Sequence, residues 1–386
     1  MTADPSLRVL AGAAAAPHIS RRALLGGFAV AGASAALAAC GPTGSIAASA
    51  HTDGKTEKQL NVYSWGDYDD PANIAAFSKR GITVQLDSYS SNEELIAKLG
   101  AARGTSGYDV VVPTGNYIPM MAKNRLLTPL DHSLLPNLAN VEKVYREQAW
   151  DPDSTYAVCK NWGTTGFVYD TTKISGEPRS WADFLELATT VARGKTSVLE
   201  DSWELASIYF GANGIDPNTT KKVDLDACEK YLVESLAPGI RAFSSNPAQN
   251  IVQADFTLMQ SYNGDARQGM INSDDPERWK FVFPTPTANI WMDTWAIARG
   301  TQHPDSAHAF INYMLQPGVG AKEMDYNGYP TGLVGQEAKA HTMKVDLPEL
   351  IFPSPEVLDR LTAADINSAQ GRLVDILNRV QAKAGA

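Results

Sequence analysis

Cysteine is scarce: the 386-residue chain has three, Cys40, Cys159 and Cys228. Cys159 and Cys228 stand alone and far apart, which gives no disulfide framework, so they read as two separate buried thiols. A bond between them in an oxidising compartment is the alternative. Clustered positive charge is missing as well. The formal net charge is −10, and residues 1–39 carry Arg8, Arg21 and Arg22 against Asp4 alone, so the remainder holds about −12. Nucleic-acid phosphates demand grouped Lys and Arg, which excludes nucleic acid as a partner. An acidic surface is compatible with a cationic ligand. Catalytic signatures are absent too. There is no GxxxxGK[ST] phosphate loop, no GxSxG nucleophile turn, and no local His partner for Cys159. His303 and His308 are five apart, off a common helical face, which argues against a zinc pair; they read as polar helix surface. The expectation is a chain with no catalytic residues, no metal ligands and no cofactor. No internal repeat of fixed period is present.

What is there begins with residues 20–41, SRRALLGGFAVAGASAALAACG. An arginine pair, a weakly apolar core and a small-residue end follow the order of a twin-arginine export signal. Leu37-Ala38-Ala39-Cys40 resembles a bacterial lipobox, in which Cys40 is lipidated and becomes the mature N-terminus. The core is Gly- and Ala-rich and short for a permanent span; a transmembrane anchor is the competing reading. Residues 1–39 are thus expected to be a signal peptide and 40–57, rich in Gly, Ser, Ala and Thr, a flexible tether. The protein is expected to be exported and held by N-terminal lipid at the outer face of the cytoplasmic membrane.

The body opens with alternating β and α signals. Residues 59–64 suit a strand, Pro71 starts a helix carrying Ile74, Ala75 and Phe77, and 82–86 is a β-branched alternating run. Ser91 caps a helix with Leu95, Ile96 and Leu99 on its apolar face. Residues 108–113 read as a buried strand. This βαβαβ order predicts an α/β fold with a mainly parallel sheet, whose ligands bind beyond the carboxyl ends of the strands. The style repeats further on: strands at 164–169, 256–262 and 279–283, helices at 205–211, 225–236 and 247–255, a capped start at Ser180 with Asp183, and a C-terminal helix from about Glu356. Two such units imply two lobes with a cleft between them.

Acids and aromatics gather at the predicted strand ends and helix starts: Trp65-Gly66-Asp67-Tyr68, Asp201-Ser202-Trp203-Glu204, Tyr262-Asn263-Gly264-Asp265, Trp291-Met292-Asp293 and Gly328-Tyr329-Pro330. Asp201 and Glu204, three apart, share a helix face. Carboxylates framed by rings suit an organic ammonium ion, since the acid supplies a charge-assisted hydrogen bond and the ring a cation–π attraction of about 0.5–2 kcal/mol. Taken singly, helix-opening acids serve the cap and the dipole, and lone Trp residues belong to cores.

On these residues the chain resembles the substrate-binding proteins of bacterial spermidine/putrescine ABC importers, over roughly 60–329. Tyr63-Ser64-Trp65-Gly66-Asp67-Tyr68 is similar to that family's first ligand-binding turn, Tyr108-Asp109-Val110-Val111-Val112-Pro113-Thr114 to its YDxVVPS/T strand, Trp291-Met292-Asp293 to its WMD motif and Gly328-Tyr329-Pro330-Thr331 to its GYPT turn. The resemblance implies a type II periplasmic-binding-protein fold of two α/β lobes with a ligand cleft and hinge crossovers. The expected lobes are 58–162 plus 293–335, and 163–292 plus 336–386, with crossings near 161–164, near 290–293 and after Thr331. It implies capture of a polyamine and its delivery to the transmembrane subunits of an ABC permease, by a monomer without enzymatic activity. By the same resemblance Trp65, Asp67 and Tyr68 hold one end of the ligand, Thr114 hydrogen-bonds from its loop, and Asp201 with Glu204 bind the other end. Asp293 grips an amine, and Trp291 and Tyr329 sandwich the chain. Tyr262 stands where the family has Trp, and Asp265 resembles an acid of putrescine-preferring members. Asn116 or Tyr117 stands at a family aromatic, and Tyr117 is counted among the binding residues. Gly66 replaces a hydroxyl residue. The surplus of acids mixes two ligand signatures and leans toward spermidine or a broad polyamine site. The alternatives are a receptor of the same fold for another small cationic or polar solute, and an exported hydrolase using Asp201 and Glu204 as an acid/base pair on glycosides.

Overall fold

The computed structural model describes residues 48–102 and 105–385. The expected leader, Cys40 and the first part of the expected tether lie outside the described residues. The strands, in chain order, are β1 (Gln59–Trp65), β2 (Thr83–Tyr89), β3 (Val110–Val111), β4 (Leu127–Thr128), β5 (Ala157–Asp170), β6 (Thr196–Leu199), β7 (Ile240–Ser244), β8 (Leu258–Tyr262), β9 (Trp279–Val282), β10 (Ala288–Ala298) and β11 (Leu361–Ala363). Among the described residues they form a single sheet with the order β2-β1-β3-β10-β5-β8-β6-β7; β4 and β11 pair with β10, and β9 with β5.

Two parallel triplets sit at the ends of that order, β2-β1-β3 and β8-β6-β7. The long strands β5 and β10, antiparallel to each other and to the triplets, join them. Parallel strands need both faces covered, and the side chains show it. On β1 and β3, Val62 and Val110 enter one cluster with Phe77, Trp295, Ile297 and Phe310. Their neighbours Tyr63 and Val111 enter the opposite one with Leu95, Leu99, Met121 and Ala296. The second triplet repeats this. Phe167, Val198 and Leu258 pack on Trp181, Phe184, Leu205 and Ile376. Val168 and Met259 pack on Ile251, Met270 and Trp279. A pair of hydrophobic clusters thus sandwiches each triplet, forming the core of one lobe, and β5 belongs to both lobes: Val158 and Cys159 lie in the first, Phe167 to Tyr169 in the second.

Between the cores β5 and β10 are buried and polar. Lys160, Asn161, Thr164 and Thr165 on β5, with Asn289 and Asp293 on β10, are each at most 5 % exposed. The register pairs Asn161 with Asp293 and Thr165 with Asn289, and a bulge follows Asp293.

Local chemistry accounts for most helix starts. Ser91 accepts from Glu94 N–H and Ser180 forms a reciprocal capping box with Asp183. Several sequence expectations are corrected. The C-terminal helix does not run from Glu356: a short turn, Pro355–Leu358, leads into β11, because 361–363 pairs in parallel with Ala288 to Ile290, and the helix is Gln370–Ala384. The strand expected at 108–113 shrinks to Val110–Val111, since Asp109 turns its carboxylate onto the backbone N–H of Asn61, Thr301 Oγ1 and His303. The helix Pro71–Ser78 buries Asn73 and Phe77 and leaves Ala75 exposed. His308 is buried, donating from Nδ1 to Pro304 O and accepting Asp131 N–H at Nε2, so it is not helix surface. Residues 48–57 do not hang free. Ser49 meets Thr128 hydroxyl to hydroxyl at 2.6 Å, Asp53 and Gly54 donate their N–H groups to the Asp305 carboxylate, and Ser306 donates to Glu57. Composition hid this because single polar contacts carry no periodicity. Cys159 and Cys228 are free thiols, buried in different cores.

Gly166 lies where β5 meets β9, and a Cβ there would come within 2.1 Å of Val282 O and 2.7 Å of the Phe281 ring. Gly166→Ala is therefore expected to cost about 1–3 kcal/mol of stability, read as a lower urea midpoint. An unchanged midpoint would show that β9 yields freely.

Candidate functional site

The first element of the site is the turn after β1. Trp65 donates from Nε1 to Val112 O at 3.1 Å and packs its ring on Tyr89 at 4.6 Å. Gly66 and Asp67 are exposed, and Asp67 has a left-handed φ of 54°. Tyr68 then turns inward and donates from its hydroxyl to Asp293 Oδ2 at 2.8 Å, with Asn161 Oδ1 also in contact. The other carboxylate oxygen of Asp293 accepts from Thr114 Oγ1 at 2.7 Å. Thr114 is fixed by Asn92, which accepts its N–H and donates to its hydroxyl. Asp293 itself sits just before the bulge in β10, a device that re-aims a strand side chain. Burial pushes its carboxyl up to about 6, against the opposing pull of the Thr114 and Tyr68 hydroxyls and of Lys160.

A run of rings leads away from Asp293. Tyr68 meets Tyr329 edge-on at 5.9 Å, Tyr329 meets Trp291 at 4.9 Å, and Trp291 meets Tyr262 at 5.5 Å. Gly163 lets Trp291 lie this close, since a Cβ there would be 2.4 Å from the indole. The Tyr329 hydroxyl donates to the Asp265 carboxylate and accepts the Asp265 N–H at 3.2 Å. Burial raises Asp265 to about 6, and the charge of Asp67 adds to the push.

A third group of acids opens the helix Ser202–Ala212. Asp201 is its cap, accepting from Trp203 and Glu204 N–H at 2.9 Å each. Glu204, 4 % exposed, accepts from Thr165 Oγ1 at 2.8 Å and from the Asn289 amide. Burial raises both carboxyls, with Glu93 adding to Asp201 and Asp201 to Glu204. Tyr262 lies within the field of Glu204, Asp201, Asp265 and Asp293, and burial together with those four acids holds its hydroxyl well above the ordinary tyrosine range. Tyr117, 9 % exposed, donates to Glu93 Oε1 at 2.9 Å and feels Asp201, whereas Asn116 reaches Ala364 O at 3.5 Å.

The structure therefore gathers Tyr68, Thr114, Asp293, Tyr329, Trp291, Tyr262 and Asp265 into one connected set, with Asp201 and Glu204 facing the same tyrosine. Trp65 borders the set through Tyr89, and Asp67 stays exposed beside it. Sequence reading missed Asn161, Asn92, Thr165, Asn289 and Lys160. Asn92 opens a helix; for the others the signal was a polar residue inside a buried strand, as in AVCKNWGTTGFVYD, which periodicity does not score. Two buried donors, Asn161 Nδ2 and Trp291 Nε1, have no protein acceptor. Among the described residues no cluster of His, Cys, Asp and Glu could hold a metal ion, and no helix is long and apolar enough to cross a membrane. Acids at three stations along a run of rings bind cations chemically: carboxylates for the ammonium groups, ring surfaces for the methylenes between them.

The chain is 29% identical over 327 residues to the spermidine/putrescine-binding periplasmic protein 1 of Haemophilus influenzae, covering 84% of this chain and 89% of that one. It is 30% identical over 341 residues to the putrescine-binding periplasmic protein PotF of Escherichia coli, covering 79% and 91%. Among solved structures, the substrate-binding protein PotD of a spermidine/putrescine ABC transporter from Streptococcus pneumoniae superposes with a TM-score of 0.69 at 25% identity, over 85% of this chain and all of that one. The TpPotD lipoprotein of Treponema pallidum gives 0.71 at 25% identity, over 83% and 99%. The model of one family, bacterial extracellular solute-binding protein, matches residues 73–341. With that match spanning most of the chain, and with the two-lobed sheet around a buried acidic site, the protein belongs to the bacterial extracellular solute-binding proteins.

Proposed function

We propose that this protein captures a polyamine, spermidine or putrescine, and delivers it to the transmembrane subunits of an ABC permease without chemically changing it. The observation that carries the reading is Asp293: a buried carboxylate with both oxygens fixed by hydroxyls, facing a run of aromatic rings that leads to further acids. Asp293 takes one ammonium, with Trp65, Asp67 and Tyr68 around that end and Thr114 fixing the acid. Trp291 and Tyr329 pack the methylene chain. Asp265, with Asp201, Glu204, Tyr262 and Tyr117, receives the far end. More than two acid stations favour spermidine over the shorter diamine. The names of the relatives support the ligand class. Closure brings the lobes 58–162 plus 293–335 and 163–292 plus 336–386 onto the ligand, and each lobe gains contacts only when it is present. The separate cores on either side of the polar strand segments support that division.

Calorimetry of the soluble body with spermidine, putrescine, arginine and maltose tests the reading. Heat with the polyamines alone is expected, with spermidine the tighter. Asp293→Ala should cost about 2–5 kcal/mol of binding, as truncating one partner of a buried charge pair does. Silence with every polyamine would remove the cargo assigned here.

The raised carboxyls give the pH dependence a sign. In the free protein Asp293 and Asp265 hold protons below about pH 6, and an ammonium ion must displace them. Affinity is expected to be full above pH 7 and to fall as the pH drops through 6. The binding heat should vary with the ionisation enthalpy of the buffer, reporting proton release. Affinity independent of pH between 5 and 8 would mean that these acids do not meet the ligand.

The lipobox-like residues 37–40 support attachment through lipid on Cys40 after export, with the body acting as a monomer. In cells, Cys40→Ala should move the protein from the membrane fraction to the soluble fraction; retention in the membrane would favour an uncleaved anchor.

A further inference from the structure

A buried ion cluster lies directly behind the site. Lys160 on β5 has a side chain 2 % exposed, and its ammonium sits 3.2 Å from Asp69 Oδ1 and 3.7 Å from Glu323 Oε2, whose side chains are 0 and 3 % exposed. The same ammonium donates to the backbone carbonyl of Tyr68 at 3.2 Å and lies over the Tyr68 ring at 4.2 Å and the Trp295 ring at 4.9 Å. Asn327 donates to that carbonyl too, at 3.2 Å. Asn327 and Glu323 stand four apart on the helix Pro317–Asn327, and Glu323 is held by Asn73 Nδ2 and the N–H of Asp70.

A charge so deeply buried costs stability, and a well-packed apolar cluster often serves a core better. The contacts give this one a specific role. Tyr68 is gripped at both ends by successive residues of β5: Lys160 takes its carbonyl and ring, and Asn161 meets its hydroxyl. We propose that Lys160 is the positioning residue of the binding site, holding Tyr68 so that its hydroxyl fixes Asp293, and tying that grip to the strand shared by the two cores. The inference rests on the polyamine reading of the site. Lys160 does not touch the ligand; it acts through Tyr68.

The inference runs against simple charge bookkeeping. A cation behind the site repels a cationic ligand but also helps keep Asp293 ionised. Binding is therefore measured well above the Asp293 range, where that acid is ionised with or without Lys160 and by charge alone its removal would tighten binding. Positioning predicts the reverse. Spermidine binding to the soluble body is measured by calorimetry for the wild type, Lys160→Met, Tyr68→Phe and the double variant. Lys160→Met is expected to weaken binding about tenfold or more, and in the Tyr68→Phe background to cost little further, because both changes break the same link. With Glu204→Gln, at a separate acid station, the costs should add. Lys160→Met leaves two buried carboxylates without their cation. If it does not fold, the same comparisons are made with Asp69→Asn, Lys160→Met and Glu323→Gln combined, which leaves no charge alone; the loss and its dependence on Tyr68 are expected to persist. Wild-type or tighter binding in the neutralised variant, or full additivity with Tyr68→Phe, overturns the inference and leaves the polyamine reading intact. No polyamine binding by the wild type itself overturns that reading instead.

Discussion

Two long strands pass from one hydrophobic core to the other, and at the passage they must be buried without being apolar. The rest of the molecule follows from that constraint. An apolar β5 and β10 would fuse the two cores into one and abolish the cleft. Lys160, Asn161, Thr164 and Thr165, facing Asn289 and Asp293, instead keep the cores apart and bring hydrogen-bonding groups into a site from which water is largely excluded. Buried polar groups must be paired, and much of this segment is: Thr165 and Asn289 on Glu204, Tyr68 and Thr114 on Asp293. Groups of this kind discriminate strongly, because a ligand that fails to match them leaves them unsatisfied.

Burying these acids carries an electrostatic cost. Asp293, Asp265, Asp201 and Glu204 are all raised by burial, and all but Asp293 also by a neighbouring negative charge. On the proposed reading a polyamine relieves several such penalties at once, which a single ammonium ion does not. The rings suit the same end, since ring surfaces pack methylene groups well while carboxylates suit charged ends.

Much of this was legible in the sequence, for identifiable reasons. Asp293, Trp291 and Tyr329 fall in short runs where an acid or a ring stands beside a turn or a strand end. The β-α alternation to Val111 was readable because its helices carry local start signals, Pro71 and the Ser91 cap. Lys160 and Asn161 were not legible. They sit inside a 14-residue buried strand, and their meaning depends on Asp69, Glu323 and Asp293, as many as 163 positions away. The C-terminal region was misread as one helix because Leu361 to Ala363 becomes a strand only where β10 offers it an open edge. Asp201 and Glu204 lie together as their spacing implied, yet they are also helix cap and buried acceptor, so the same residues serve fold and site.

The hydrogen-bonded segment 48–57 has a mechanical consequence. Its bonds go to Thr128, which pairs with Ile297 near the end of β10, and to Gly300, Thr301, Asp305 and Ser306 beyond that end. Five residues of strand, about 17 Å, separate Asp293 from Ala298 at that end. Under the proposed attachment through Cys40, a pull along the N-terminal chain would enter the molecule beside the first core and not at Asp293.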